Sequence, residues 1–202
     1  MTDAATTSLE TLLTAEVARM YEEVAAHPEA EYHFYTGRRA AEMYGYQSAD
    51  LDAMPARAVA AFAGVGCPIE RARFQPGERV VDLGSGAGMD SLIAARAVGP
   101  GGRVIGIELN PKMIKAADSN RGELGYDQVE FRQGRIEEPP VEDGFADVVI
   151  SNGVINLSFR KAKVIKETFR MLKPGGRVSI VDVVSARPLS QSIVNDPKLW
   201  AS

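Results

Sequence analysis

The sequence predicts an α/β fold, with a doubly wound and mainly parallel sheet that carries helices on both faces and follows an N-terminal helical extension. Two observations predict it. Apolar residues before Pro76 recur at spacings of three and four, as on a helix, and after Pro76 short β-branched runs alternate with helical stretches. A chain of 202 residues suits one domain with an appendage, since a domain holds roughly 150 residues. We therefore expect a helical cap over residues 1–75 and an α/β core over residues 76–202.

The individual elements follow from these two periodicities. Apolar residues between positions 9 and 24 form one helical stripe, and further helices are expected from Gly37 to Tyr44 and from Pro55 to Ala63. Strands are expected over five apolar, β-branched runs: Arg79–Leu83, Arg103–Glu108, Gln128–Arg132, Ala146–Ser151 and Arg177–Val184. Helices are expected between them at Gly88–Val98, Pro111–Gly122 and Lys161–Leu172. The Lys-Pro-Gly-Gly run at 173–176 is expected to form the turn before the last strand.

Composition and charge argue against several classes of function. Asp and Glu number 27 against 23 Lys and Arg, whereas proteins that bind nucleic acids usually carry a basic excess. One cysteine and two histidines (His27 and His33) argue against a metal site. No apolar run reaches the roughly 18 residues of a membrane span, and no basic residue precedes the first apolar positions as in a signal peptide. We expect a cytoplasmic protein with no nucleic-acid or membrane partner.

The strongest signal for a binding site is the run Val-Val-Asp-Leu-Gly-Ser-Gly-Ala-Gly at 80–88. A strand carries Asp82 near its end, and glycines then open a helix whose first N–H groups can bind an anion. Glu108 ends the next strand about twenty positions later, where an acid can accept the two hydroxyls of a ribose. The glycine spacing differs from the G-x-G-x-x-G of dinucleotide sites, and Asp82 suits a ligand with an amino or sulfonium cation.

These motifs, with IGIELNPKMIKAA and RMLKPGGRVSIVD, resemble those of class I S-adenosylmethionine (SAM) methyltransferases over residues 77–184. The resemblance implies a Rossmann-like fold and methyl transfer from SAM to a small-molecule acceptor, with S-adenosylhomocysteine (SAH) as the product. It also implies a set of cofactor contacts. These are Asp82, Gly84, Ser85, Gly86 and Gly88 around the methionine part, Glu108 at the ribose, Leu109 and Met113 near the adenine, Arg135, Ile136 and Glu137 along the adenine edge, and Ser151 and Asn152 at the sulfonium end.

Structural explanations stay open for several of these residues. A tight strand-to-helix turn needs glycine even without a ligand, and Glu108 is also compatible with a solvated acid at a strand end. Met113 and Ile136 are equally compatible with plain core positions.

A narrower resemblance concerns the acceptor. VISNGVINLSFRKAKV resembles a segment of the arsenite methyltransferases, in which S-N-C-V-I-N-L precedes a short run and a lysine. That family holds trivalent arsenic on several cysteine thiolates. Cys67 matches one of those positions, and Gly153 stands where a second thiol is expected, so Cys67 and Asn152 are the candidate catalytic residues. A single thiolate does not chelate arsenic, so methylation of a carbon or oxygen atom, as on a quinone ring, stays open. So do a SAM-binding remnant without activity and a structural role for Cys67 as a small buried hydrophobe.

Two further expectations concern the surface of the protein. Tyr32, Tyr35, Tyr44 and Tyr46 are candidates to cover the acceptor side, with an aromatic helix-packing cluster as the alternative. The family sheet normally has seven strands and only five are expected here, so the last two are missing and Arg177–Val184 becomes an exposed edge. This edge predicts a homodimer or a fragment.

Overall fold

The structure is a computed structural model that describes residues 35–187 and, before them, the helical positions 11–12, 15–16 and 19–20. These six positions fall within the helix predicted between residues 9 and 24. His27, Tyr32 and His33 lie outside the described residues, as does the segment from 188 onward.

The described part of the extension contains four short helices: α1 (Gly37–Met43), α2 (Ser48–Asp52), α3 (Ala56–Ala60) and α4 (Ile69–Ala72). The prediction of α1 is confirmed. The helix predicted over 55–63 is α3, which ends three residues earlier than expected. The sequence did not predict α2 or α4, because helices of four or five residues are too short to repeat an apolar period.

The core is a parallel five-stranded sheet in the order β3-β2-β1-β4-β5. Its strands are β1 (Arg79–Leu83), β2 (Arg103–Glu108), β3 (Val129–Gln133), β4 (Ala146–Asn152) and β5 (Leu172–Val181). The connections contain α5 (Met89–Val98), α6 (Pro111–Leu124), a 3-10 turn (Ile155–Leu157) and α7 (Lys161–Met171). The order reverses between β1 and β4, as in doubly wound folds, so the predicted fold class is confirmed.

Helices cover both faces of this sheet. Successive residues of a strand point to opposite faces, so the apolar side chains of the strands pack into two separate clusters. Val80 and Val104 belong to a cluster of buried apolar side chains that includes α5 and the short helices of the extension. Val81 and Ile105 belong to a second cluster, which includes Val164 of α7. With both faces buried, the strands are nearly continuous apolar runs.

The last strand differs most from its prediction. It begins at Leu172 and ends at Val181, so the turn expected at 173–176 lies inside the strand. The pairing with β4 shifts register between Ala146 and Val148, and Gly175 has a φ of +81°. The Pro-Gly-Gly signal thus marks an irregularity within the strand pairing rather than the gap before a strand. Among the described residues β5 is one of the two edges of the sheet, and Val178 is 49% exposed.

Arg177 joins β5 to the segment before β1. Its guanidinium donates to both carboxylate oxygens of Glu78 at 2.7 and 2.8 Å, and to the carbonyl oxygens of Ala72 and Arg73 at 2.6 and 2.8 Å. We expect Arg177→Ala to lower the free energy of unfolding by about 1–2 kcal/mol in urea titrations. Arg39→Ala, at an exposed position on α1, is the control and should have almost no effect. Equal losses in the two variants would contradict the structural role of Arg177.

Candidate functional site

A cavity lies at the carboxyl ends of β1, β2 and β4, where the strand order reverses. Its wall consists of glycines, small or apolar side chains, and several carboxylates. The lining residues are Ala58, Ala61, Phe62, Ala63 and Gly64 from the extension; Asp82, Gly84, Ser85, Gly86, Ala87, Met89 and Asp90 from β1, the glycine loop and α5; Ile107, Glu108, Leu109, Asn110 and Met113 from β2 and α6; Gly134, Arg135, Ile136 and Glu137 after β3; and Asn152, Gly153, Val154, Leu157 and Ser158 from the end of β4 onward.

Two glycines of the loop serve different purposes, although both have the positive φ that favours glycine. A Cβ on Gly86 would meet no atom within 4 Å, and Gly86 lines the cavity, so bare main chain faces the open space there. A Cβ on Gly88 would lie 2.7 Å from the ring of Phe131 and 3.2 Å from Ala117. Gly88 therefore permits close packing of α5 and does not line the cavity.

Glu108 is held in the wall by main-chain donors. One carboxylate oxygen accepts from the N–H of Gly86 at 3.0 Å and the other from the N–H of Asn110 at 2.8 Å. Burial raises the pKa of Glu108, and these two bonds act in the opposite direction. A carboxylate has about four lone-pair positions, so each oxygen can still accept a bond from a ligand hydroxyl.

Asp82 and Ser85 place polar atoms in the same wall. Asp82 is 2% exposed and accepts a hydrogen bond from the Ser91 hydroxyl at 2.6 Å. Burial and, secondly, the nearby charge of Asp90 raise the pKa of Asp82 to about 8. Ser85 is 8% exposed, and its hydroxyl has no hydrogen-bond partner among the described residues. An unpaired buried hydroxyl in a cavity wall is the arrangement expected where a ligand supplies the partner.

The third acidic residue of the inner wall, Asp90, belongs to a buried hydrogen-bond network. The Tyr46 hydroxyl donates to Asp90 Oδ1 at 2.5 Å, and the Asn152 amide donates to Asp90 Oδ2 at 3.1 Å. The same amide also lies 2.8 Å from the Gly66 carbonyl oxygen, and its oxygen accepts from the Val65 N–H at 2.9 Å. The network thereby attaches the extension to the last residue of β4 and to the first turn of α5.

The far side of the cavity is mostly apolar. Leu109, Met113 and Ile136 line it; Met113 is buried and Leu109 is 38% exposed. Arg135 forms an ion pair with Glu137 at 3.3 Å, and Glu137 also accepts from the Ser158 hydroxyl at 2.5 Å.

Most of the candidate cofactor-binding and catalytic residues meet in this cavity, and three of them do not line it: Gly88, Ser151 and Cys67. The Ser151 hydroxyl donates to the Leu83 carbonyl oxygen at 3.3 Å, between two strands. Cys67 is half-buried against the apolar cluster around α5, and burial raises the pKa of its thiol. Gly153 does line the cavity, but the nearest atoms to a Cβ there, at 3.2 and 3.3 Å, belong to Val65 rather than to Cys67.

Two of the tyrosines, Tyr44 and Tyr46, fit the packing alternative. Tyr44 and Tyr46 contact Phe62 edge to face, with ring centroids 6.4 and 5.2 Å apart, and Tyr35 is 67% exposed. Phe62 itself lines the cavity, a contribution that the sequence did not suggest.

The described residues contain neither a metal-binding cluster nor a membrane-spanning helix. Within residues 35–187 and the six earlier positions, no three His, Cys, Asp or Glu side chains are grouped so that they could hold a metal ion. No helix in the described part of the chain is long and apolar enough to cross a membrane.

Comparison with known proteins identifies the family. A family model described as a methyltransferase domain matches residues 74–202. The chain is 46% identical over 158 residues to an arsenite methyltransferase of Halobacterium salinarum (77% of this chain, 40% of that protein), and 37% identical over 142 residues to one of Aquipseudomonas alcaligenes (67% and 41%). A crystal structure of an arsenic(III) S-adenosylmethionine methyltransferase from Chlamydomonas reinhardtii matches with a TM-score of 0.68 and 40% identity, over 75% of this chain and 53% of that one. The chain thus spans about two fifths of these curated relatives. It belongs to the methyltransferase domain family, and it is similar to the arsenite methyltransferases among these proteins.

Proposed function

We propose that this chain binds SAM in the cavity and transfers its methyl group to a small-molecule acceptor. One observation carries the proposal: Glu108, the bare main chain at Gly86 and the unpartnered hydroxyl of Ser85 face one cavity at the switch point of the sheet. When bound, SAM supplies a methyl group on a positively charged sulfur.

The residues of the cavity suit the parts of such a donor. Glu108 has free lone pairs for the two ribose hydroxyls, and the apolar side chains of Leu109, Met113 and Ile136 offer a surface for the adenine ring. The Ser85 hydroxyl has no partner and can bond to a polar group of the donor. Asp82 places a carboxyl group where an ammonium or sulfonium cation favours its ionised form. The cofactor roles of all these residues are part of the proposal.

Methyl transfer places few demands on acid–base chemistry. The acceptor has to approach the methyl group in line and without competing water, so positioning contributes most of what the protein can supply. Gly64, Asn152 and Gly153 line the side of the cavity formed by β4 and the extension, and Phe62 adds an aromatic ring to the lining. We propose this side as the place of the acceptor.

The acceptor is proposed from the relatives. Two of them are named as arsenite methyltransferases, which makes trivalent arsenic the first candidate. Cys67, the one cysteine of the chain, does not line the cavity, and its raised pKa opposes the thiolate that a soft ion needs. If arsenite is the acceptor, its further thiolate ligands therefore come from outside these 202 residues, which contain no other cysteine. A carbon or oxygen acceptor, such as a quinone ring, is the alternative because it needs no thiol.

Calorimetry and a turnover assay test the proposal. We expect SAM to bind with one site per chain, and we expect SAH to form when arsenite is added with a small dithiol. A demethylated quinone serves as the second acceptor. Failure of the chain to bind either SAM or SAH would overturn the proposal. Binding without turnover on any acceptor would support a SAM-binding protein without activity instead.

Gly86→Ala tests whether the bare main chain at the loop faces the donor. We expect SAM affinity to fall at least about tenfold, because the added methyl group projects into the cavity. Gly125→Ala is the matched control: Gly125 also has a positive φ (+64°) and nothing within 4 Å, but it ends α6 outside the cavity. Both variants should lose about 1 kcal/mol of stability from backbone strain, and only Gly86→Ala should lose affinity. Unchanged affinity in Gly86→Ala would contradict this placement of the donor.

We also propose a cytoplasmic protein that acts without a nucleic-acid partner and forms a homodimer through β5. The dimer is supported by the position of β5 at the edge of the described sheet and by the half-exposed Val178. Light scattering tests it, and a stable monomer at micromolar concentration would contradict it.

A further inference from the structure

We propose that Tyr46 is a positioning residue for the donor end of the cavity: with Asn152, its hydroxyl holds the Asp90 carboxylate as the counter-charge for the cationic sulfur of the donor. The inference rests on the proposed function and extends it, because it makes the cavity discriminate between the charged donor and its neutral thioether product.

The contacts of Asp90 leave its charge unneutralised. Each carboxylate oxygen accepts one bond from a neutral donor, Tyr46 on one side and Asn152 on the other. Such bonds fix and stabilise an ionised carboxylate without cancelling its charge. Within the described ranges, none of the ion pairs involves Asp82 or Asp90. At neutral pH the inner wall therefore has a negative charge on Asp90 that a ligand cation would neutralise.

The topology places Asp90 at the correct end of the cavity. Glu108 ends β2 and Asn152 ends β4, and these two strands flank β1, which leads into the glycine loop. Adjacent strands are about 4.8 Å apart, so Glu108 and Asn152 mark two sides of the cavity about 10 Å apart. A donor with its ribose on Glu108 directs its sulfur away from β2, toward the side where Asp90 and Asn152 line the wall. The unpartnered Ser85 hydroxyl, nine-tenths buried, lies in the same wall and independently indicates a ligand there.

Tyr46 acts from behind this wall. It is 5% exposed and does not line the cavity, so any effect of its hydroxyl on the donor has to pass through Asp90 or through Asn152, whose amide donates to that hydroxyl at 3.1 Å. Burial raises the pKa of Asp90 to about 6, and the bonds from Tyr46 and Asn152 limit that rise. Loss of the Tyr46 hydroxyl would therefore leave Asp90 less ionised and free to turn. The nearby titratable groups are Asp82, Glu108 and Cys67, and none of them supplies a positive charge.

Tyr46→Phe tests the inference, because it keeps the ring against Phe62 and removes only the hydroxyl. SAM and SAH differ at the sulfur by one methyl group and one positive charge. We expect Tyr46→Phe to weaken SAM about tenfold in calorimetric titrations, the value of a hydrogen bond to a charged group, and to weaken SAH less than about twofold. Tyr44→Phe is the matched control, since Tyr44 also packs on Phe62 but does not contact Asp90. It should change neither affinity.

The outcomes separate the two proposals. If the wild-type chain binds neither ligand, the proposed function fails. If the wild type binds both, and Tyr46→Phe either weakens SAM and SAH equally or weakens neither, the inference fails while the proposed function stands. Asp90→Asn provides a second variant should Tyr46→Phe not fold: it removes the charge at nearly constant volume. It should lower SAM affinity more than tenfold while SAH binding remains within about threefold. An equal loss of both ligands in Asp90→Asn would also overturn the inference.

Discussion

Replacing Glu108 by alanine is expected to weaken SAM binding about a hundredfold. The carboxylate is the proposed acceptor for two ribose hydroxyls, and two hydrogen bonds to a charged group contribute about 3 kcal/mol together. The same substitution leaves the N–H groups of Gly86 and Asn110 without their acceptor, so the glycine loop and the start of α6 both lose an anchor. Calorimetric titration with SAM measures the effect.

Two other variants show whether this loss is specific. Glu108→Gln keeps an acceptor oxygen for one main-chain N–H and removes the charge, so it should lose less than Glu108→Ala. Glu130→Ala is the control, because Glu130 is an acid on the neighbouring strand β3 that pairs with Arg103 and Arg132 outside the cavity. Its SAM affinity should stay within about twofold of wild type. If Glu108→Ala bound SAM as tightly as Glu130→Ala does, Glu108 would not be the ribose ligand.

The sheet and the position of its cavity were predictable because they depend on local patterns. The apolar runs of β1 and β2 match their predicted bounds, since both strands are buried on both faces and carry the full β-branched signal. The glycine loop follows β1 directly, and Glu108 ends the next strand. A parallel sheet brings such strand ends to one edge, so these residues share a cavity for topological reasons.

The network behind the cavity was not predictable in the same way. Tyr46 and Asp90 are 44 positions apart, and Tyr46 and Asn152 are 106 positions apart. A single sequence contains no signal for such pairings, and an acid in the first turn of α5 is sufficiently explained by the helix dipole. The position of Cys67 relative to the cavity was not predictable for a related reason: a motif position fixes the order along the chain but not the direction in which a side chain points. A side chain at position 153 would contact Val65, two residues before Cys67, rather than Cys67 itself.

The second large effect is expected from Asp82→Asn, which should stabilise the ligand-free protein while it weakens SAM binding. Asp82 is buried beside Asp90, and its pKa in the folded chain is raised to about 8 from a usual value of 3.8. A carboxyl group whose pKa is raised on folding contributes stability that is complete below its unfolded pKa and is lost as the pH rises through its folded pKa. The wild-type protein should therefore lose stability between about pH 4 and pH 8, and an asparagine at this position should remove that loss. Its amide oxygen can still accept the bond from Ser91.

Chemical unfolding at two pH values measures the stability effect. At about pH 4 the two proteins should differ little, whereas near pH 8 Asp82→Asn should gain at least about 2 kcal/mol in the free energy of unfolding. The donor should show the opposite preference, because the ionised carboxylate is the form that attracts a cation. Wild-type affinity for SAM should rise as the pH passes from about 6.5 to 8.5, and the affinity of Asp82→Asn should be at least about tenfold lower and nearly independent of pH. A variant that lost stability near pH 8, or kept the wild-type pH dependence of SAM binding, would show that Asp82 serves the fold rather than the donor. The opposite signs of the two expected effects identify Asp82 as a group whose cost to the empty protein is offset by the ligand.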